Sequence, residues 1–358
     1  MKYHIAIFLA LAFALSGVSG AYACTSLIAC GRATADGRPL LWKHRDTGAR
    51  DNFLYRVDVP GRIGYVGLFN GGDTLVLDEA WMGMNDAGFA IMNTVAYNLA
   101  ENDPAWTDRE GFVMAEALGR CVTVDDFEAL LDSLPKPMGL RTNFGCIDAA
   151  GGAAYFETDD THWQRYNVDD NEYGVLVRTN FSESGTDGTG RGYDRYNNVY
   201  DILSEAIVTG SLTAASLTEG VSRSFYDAEH ECDMLDGDES YVADEHFVPR
   251  PSSTASIVVE GLLSGEEPDK MIMWTVLGYP PVSPVYPAML HVIPAVLMPG
   301  NEGAHAPANE AALEHMPHIF PADRGTEPRY IDAGYLRPLI EKARGESLEN
   351  YSQGAAAR

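Results

Sequence analysis

Ala21-Tyr22-Ala23-Cys24-Thr25-Ser26 is the stretch on which the reading of this chain turns. Ala-Tyr-Ala has the small-x-small form of an export cleavage site, and the residues before it fit. Lys2 supplies a positive start, residues 5–15 (IAIFLALAFAL) are an unbroken apolar run, and residues 16–23 are mostly small. Such a run is too short to cross a bilayer, which takes about 20 residues. Cleavage after Ala23 removes residues 1–23 as a signal peptide and leaves Cys24 first. Cys24 then carries a thiol and a free α-amine on one residue. A free α-amine has a reference pKa of about 7.7–8.0, so part of it is an unprotonated base near neutral pH. A nucleophile with its own base is the expectation for Cys24. The competing reading is a lipoprotein signal, in which Cys24 is acylated and its amine blocked. That signal usually carries Leu or a similar residue three places before the Cys, where Ala21 stands.

What remains suits a single domain over residues 24–358, ending in a helical tail. Apolar residues make up 46 %, enough for a sizeable core, and no later stretch reads as a membrane helix. The formal net charge of -27 comes from acidic residues scattered along the chain. It argues against nucleic acid and anionic membranes as partners, because both repel it. Lipidation of Cys24 is the one route to a membrane. The five cysteines, Cys24, Cys30, Cys121, Cys146 and Cys232, form no C-x-x-C pair and match no zinc spacing. With Cys24 reserved as nucleophile, two disulfides or four single thiols both remain open.

Outward from Cys24 the pattern is strand, turn, strand. Residues 25–30 read as a strand, Ala35-Asp36-Gly37 as a turn, and Pro39-Leu40-Leu41-Trp42 as the returning strand. That hairpin brings Lys43-His44-Arg45-Asp46 back beside Cys24. Asp46 can then hold the α-ammonium, and a nearby cation favours thiolate; a plain ion pair is the other account of Arg45 and Asp46. Residues 53–59, 63–69, 74–82 and 89–95 read as strands, the last pair joined at Asn85-Asp86-Ala87-Gly88. Asn93 ends an apolar run, where a side-chain amide is a candidate oxyanion donor. Residues 109–121 and 124–134 are helical in pattern, with Thr123 or Asp125 as cap. Residues 143–148 and 153–157 make a hairpin, and residues 173–179 a strand leading to Asn180.

The loop holding Gly185, Gly188, Gly190 and Gly192 lacks phosphate-binding spacing and reads as flexible. A helix over residues 193–207 follows, with Arg195 at its start, then a second helix over residues 212–225. Residues 227–245 are an acidic loop without metal-ligand spacing. Strands return at 254–259 and 271–277. Residues 279–287 read as a rigid extended connection and 299–326 as polar and Pro-dotted. Residues 331–343 read as a helix broken at Pro338, followed by a loose tail. Strands, paired helices and strands again indicate layered α+β packing.

These residues together resemble the N-terminal-cysteine amide hydrolases, the family of choloylglycine hydrolase, penicillin V acylase, isopenicillin N acyltransferase and related dipeptidases. The likeness rests on Cys24-Thr25-Ser26, the Asp36-Gly37 turn, Lys43-His44-Arg45-Asp46, and Gly83-Met84-Asn85-Asp86-Ala87-Gly88 leading to Asn93. Val177-Arg178-Thr179-Asn180, Asp194-Arg195-Tyr196 and the segment from Met273-Trp274 to Tyr286 extend it over most of the chain. The bile salt hydrolases carry Arg three places before the Asp, where Lys43 stands, and here Arg45 adjoins Asp46 instead. The resemblance implies a four-layer αββα sandwich, with two antiparallel sheets between helical layers. It implies an exported, periplasmic or extracellular hydrolase of linear amides that works through a thioester on Cys24. Asp46 and Arg195 would orient amine and thiolate, Asn93 and Asn180 would hold the oxyanion, and Arg45 or Lys43 would flank Cys24. The implied partner is a small-molecule amide, with no metal or organic cofactor and with a homo-oligomer left open. Dipeptidase and acyltransferase are the alternatives within the family; a lipid-anchored, non-catalytic binding protein is the alternative outside it.

Overall fold

The hairpin expected after Cys24 forms, and one sheet is assembled on it. The computed structural model describes residues 23–100, 108–244, 246–300, 303–324 and 329–358; the signal-peptide reading falls on residues 1–22, outside them. Strand β1 (Thr25–Ala29) pairs antiparallel with β2 (Leu40–Asp46) in the register Ser26 opposite Lys43. Next come β3 (Asn52–Val57), β4 (Tyr65–Asn70), β5 (Met82–Asn85) and β6 (Ala90–Val95). Helices α1 (Glu110–Leu118) and α2 (Val124–Ser133) lead to β7 (Thr142–Ile147), β8 (Ala153–Thr158), β9 (Trp163–Asn167) and β10 (Val175–Arg178). Helix α3 (Tyr193–Thr209) follows, then a π-helical turn over Ser216–Val221 and the short strands β11 (Tyr226–Asp227), β12 (Cys232–Asp233) and β13 (Tyr241–Ala243). The chain closes with β14 (Ser253–Glu260), β15 (Ile272–Leu277), β16 (Tyr286–Ala288), α4 (Pro307–Ile319), β17 (Tyr330–Asp332) and α5 (Ala333–Ala357).

Two large antiparallel sheets result. One has the order β10-β1-β2-β14-β15-β16; the other is the meander from β3 to β9. Alternation along the strands decides what each face meets. In β1, Ser26 Oγ lies 2.9 Å from Tyr155 Oη of β8, and Ile28 joins the core shared with the second sheet. Leu27 and Ala29 point the other way, into a separate core with Val199, Leu203 and Ile207 of α3. On the far side of the meander, Phe127 of α2 packs edge-on against Phe144 and Phe156. The order is therefore helices, sheet, sheet, helices: the four-layer αββα arrangement of the α+β class.

Local rules account for most of these elements. Thr123 caps α2 through a reciprocal box with Asp126, and Gly88, at φ 86, makes the β5–β6 turn. Elsewhere the structure corrects the sequence. Residues 74–81 form no strand: β3 occupies one edge of β4 and β5 (Met82–Asn85) the other, so the strand that pairs with β4 begins only at Met82. The helix expected over 212–225 is reduced to the π-helical turn, where Ser222 N donates to the Leu217 carbonyl at 2.9 Å. The extended connection over 279–287 includes a 3-10 turn and β16. Helix α4 lies in the Pro-dotted stretch, with Pro307 in its first turn, where a missing N–H costs little. Helix α5 runs through Pro338 and continues to Ala357, so the expected break and loose tail are absent. All five cysteines are free thiols, and only Cys232 is exposed.

Candidate active site

Cys24 sits one residue before β1, and alternation puts its side chain on the same face as Ser26, toward the second sheet. The residue is buried, and its thiol lies 4.0 Å from the Asp46 carbonyl. Ala23 N donates to that same carbonyl at 3.2 Å, so β2 grips the chain just upstream of Cys24.

From the opposite face, α3 fixes the main chain. Arg195 Nη1 donates to the Cys24 carbonyl and to Thr25 Oγ1, both at 2.6 Å, and Nη2 donates to Asn180 Oδ1 at 2.6 Å. Burial pulls the Arg195 guanidinium down to about 9, still cationic at neutral pH, with Arg250 adding to the effect and Asp46 opposing it. Gly192 makes room for this side chain. At φ 81 it caps α3, and a Cβ there would stand 2.3 Å from Arg195 Nη2. Of the loop's four glycines, Gly192 is the one that serves packing around Arg195.

Asn180 follows β10. Its Nδ2 donates to the Val95 carbonyl at 2.8 Å, and its second amide hydrogen has no partner among the described residues. Asn93, in β6, is committed differently. Its Oδ1 accepts from Lys43 Nζ at 2.5 Å, while Nδ2 donates to Glu110 Oε2 and, at 3.4 Å, to Thr142 Oγ1. An oxyanion at Asn93 therefore competes with the carboxyl of Glu110.

The two basic residues of β2 part ways. Lys43 Nζ donates to the Trp81 carbonyl at 2.8 Å as well as to Asn93. Burial lowers Lys43 to about 8; a charge on Cys24 pulls it up and Arg45 pushes it down. Arg45 donates to Asn52 Oδ1 and, at 2.8 Å, to Asn70 Oδ1, with its guanidinium 5.1 Å from the centre of the Trp81 ring.

Asp46 is fully buried. Its Oδ1 accepts from Ser253 Oγ at 2.6 Å; its Oδ2 has no hydrogen-bond partner among the described residues and lies 3.5 Å from Arg250 Nε. Burial pushes the carboxyl up to about 6, against the pull of Arg250 and Arg195. Since Ser253 gives its hydrogen to Asp46, His44 Nε2, 2.9 Å from Ser253 Oγ, must be the donor there. Burial, then Arg195 and Arg250, drive His44 down to about 3, so it is a neutral imidazole. His44, Arg250, Ser253 and Glu110 were not singled out in the sequence. The only signal for His44 was its place between Lys43 and Arg45; the others lie far along the chain from what they touch.

No family model matches this chain, and no curated protein does. Among solved structures, a variant of conjugated bile acid hydrolase from Clostridium perfringens is similar at 12 % identity, with 75 % of this chain and 92 % of that chain covered and a TM-score of 0.44. Penicillin V acylase from Agrobacterium tumefaciens is 14 % identical over 74 % of this chain and 86 % of that one, with a TM-score of 0.42. A Caenorhabditis elegans ortholog of N-acylethanolamine-hydrolyzing acid amidase is 13 % identical over 66 % and 92 %, with a TM-score of 0.37.

Proposed function

We propose that the chain is an exported amidohydrolase of small linear amides whose nucleophile is Cys24, exposed as the first residue by cleavage after Ala23. The observation that carries this reading is the Arg195 bridge: one buried guanidinium holds the Cys24 carbonyl, the Thr25 hydroxyl and the Asn180 amide oxygen. A residue that served only as the start of a strand needs no such anchor. Beside it, Oδ2 of buried Asp46 accepts no hydrogen bond among the described residues and has only Arg250 Nε, at 3.5 Å, for a cation; a freed α-ammonium on Cys24 is the donor that processing would supply.

In this reading the Cys24 sulfur attacks the amide carbonyl, and the thiol proton passes to the α-amine. Asn180 offers its uncommitted amide hydrogen to the developing oxyanion; losing one such donor costs about 10²–10³ in rate. Asn93 reaches the oxyanion only by giving up Glu110 or Thr142. The α-ammonium then protonates the leaving nitrogen, the amine departs, and a thioester remains on Cys24. Water adds to the thioester, releasing the acid and restoring the thiol. An amine in place of water makes the same intermediate an acyl donor. Asp46 orients the amine, Arg195 the backbone, and the Lys43 ammonium favours thiolate; Arg45, held by Asn52 and Asn70, supports the same strand.

The test begins with intact mass and N-terminal sequence of the exported protein. A chain beginning at an unmodified Cys24 supports the reading. A diacylated, amine-blocked Cys24 gives the lipid-anchored binding protein instead. A panel of N-acyl amino acids, penicillin V, bile conjugates, N-acylethanolamines and dipeptides then finds the substrate. Cys24→Ser is expected to keep the fold and to lose at least about 10³-fold of turnover, since the hydroxyl is the weaker nucleophile at its free pKa. Unchanged turnover in that variant sinks the mechanism.

A further inference from the structure

Glu110 has no part in the chemistry above, yet it is 2 % exposed. Burying a carboxyl group is costly unless it is paired. Here Oε2 accepts from Asn93 Nδ2, and Oε1 has no hydrogen-bond partner among the described residues. The cation of this network is Lys43, at the other end of the same amide. Lys43 offers only hydrogens, so it requires the oxygen of Asn93. The nitrogen must then face Glu110 and Thr142. Thr142 Oγ1 spends its own hydrogen on the Thr94 carbonyl at 2.9 Å, so it can only accept from Asn93. The orientation is therefore determined from both sides.

We propose that Glu110 is a positioning residue: acting through the Asn93 amide, it keeps the Lys43 ammonium charged and aimed beside Cys24. This rests on Cys24 being the nucleophile, but not on any substrate. The groups facing the network are Cys24, Lys43 and Arg45 from the first sheet, Asp108 beside Glu110, Tyr97 after β6, and Arg141 next to Thr142. Both charged ends resist ionisation. Burial and then Asp108 push Glu110 up to about 8, while burial brings Lys43 down to about 8. As pH rises, ionisation of Glu110 supports the proton on Lys43, and the ammonium persists where a lone buried lysine would have lost it.

The experiment follows alkylation of Cys24 by iodoacetamide against pH in the processed protein, read by peptide mass so that Cys232 does not interfere. A charged Lys43 lowers the pH at which alkylation reaches half its maximum. In Glu110→Gln, Lys43 gives up its proton earlier, and the half-point is expected to rise by about one pH unit. Lys43→Met raises it as well. Lys43→Arg in the Glu110→Gln background restores it, because a guanidinium holds its charge without help. If Glu110→Gln does not accumulate folded, Asn93→Ala cuts the connection while leaving both charges, and the same rise is expected. A half-point unmoved in the folded variant overturns the proposal. A shifted half-point with no turnover on any amide leaves it standing and removes the hydrolase reading instead.

Discussion

At the scale of single residues, Asp46 is the most exposed to test. Its Oδ2 is buried without a hydrogen bond among the described residues, and the carboxyl is pushed from 3.8 to about 6. The folded state thus binds the proton more tightly than the unfolded state. That contribution to stability is full below pH ~4 and is lost as pH rises through about 6. His44 acts in the opposite sense. Held down at about 3 from 6.5, it stabilises above its unfolded value and loses this as pH falls through about 3. Asp46→Asn in the uncleaved protein is therefore expected to raise stability at pH 8 by about 2–3 kcal/mol and to change nothing near pH 3.5. Thermal unfolding at both pH values decides it; equal effects at the two would show that the charge is not the cause. On the proposed reading, in which cleavage frees an α-ammonium that pairs with Asp46, the gain at pH 8 is expected to vanish in the processed protein. Cys24, Asp46, Asn180 and Arg195 were legible in the sequence because each sits at the end or start of a regular element with a recognisable neighbourhood. Ser253 was not: it meets Asp46 from 207 residues away, and no local pattern encodes that meeting.

At the scale of elements, the sheets were more legible than the helices. Strand pairs joined by short turns declare themselves through alternation and turn residues, as at β1–β2, β5–β6 and β7–β8. What failed needed tertiary information. Residues 74–81 have strand-like residues, but both sides of β4 are already paired, and Leu75 and Val76 are left exposed. Prolines misled in α4 and α5, since a proline ends a helix only when nothing else holds the following turns. In α5, packing holds them. Tyr351 packs on Trp274 with ring centres 4.8 Å apart, and its hydroxyl meets Thr218 Oγ1. A Cβ at Gly354 would come within 2.3 Å of the same indole. Beyond the helix, Arg358 Nη1 pairs with Glu260 at 3.0 Å. The C-terminal turns therefore form part of the outer helical layer over β14 and β15. Tyr351→Ala is expected to cost about 2–3 kcal/mol, less than a fully buried aromatic, because the ring keeps some exposure. Denaturant unfolding measures this. A loss below about 0.5 kcal/mol would mean that the turns after Pro338 are ornamental to the fold.

At the scale of the whole molecule, the charge distribution sets a contest that one measurement resolves. The chain has 52 acidic and 25 basic residues. Several arginines already serve two carboxylates each. Arg56 takes Asp58 and Asp86, Arg165 takes Asp125 and Glu128, and Arg38 takes Asp36 and Glu266. Arg195 and Arg250 are drawn to Asp46, and Lys43 and Arg45 are buried, so these cations do little for the surface. The remaining carboxylates repel one another. Salt weakens the surface pairs, each worth about 0–1 kcal/mol, and also weakens the repulsion. The screening length shrinks from about 30 Å at 0.01 M to about 10 Å at 0.1 M salt. Pairs in contact at 3 Å lose little over that range, whereas repulsion summed over an acidic surface acts at longer distance and loses most. The unfolded chain carries the same charge spread over a larger volume, so screening favours the folded state. The melting temperature is therefore expected to rise by about 1.5–3 °C between 0.01 and 0.3 M NaCl, equivalent to roughly 1–2 kcal/mol for a domain of this size. Sucrose of equal osmolality serves as the uncharged control. A fall in melting temperature with salt would mean that the shared-arginine pairs, and not the excess of carboxylates, govern the surface.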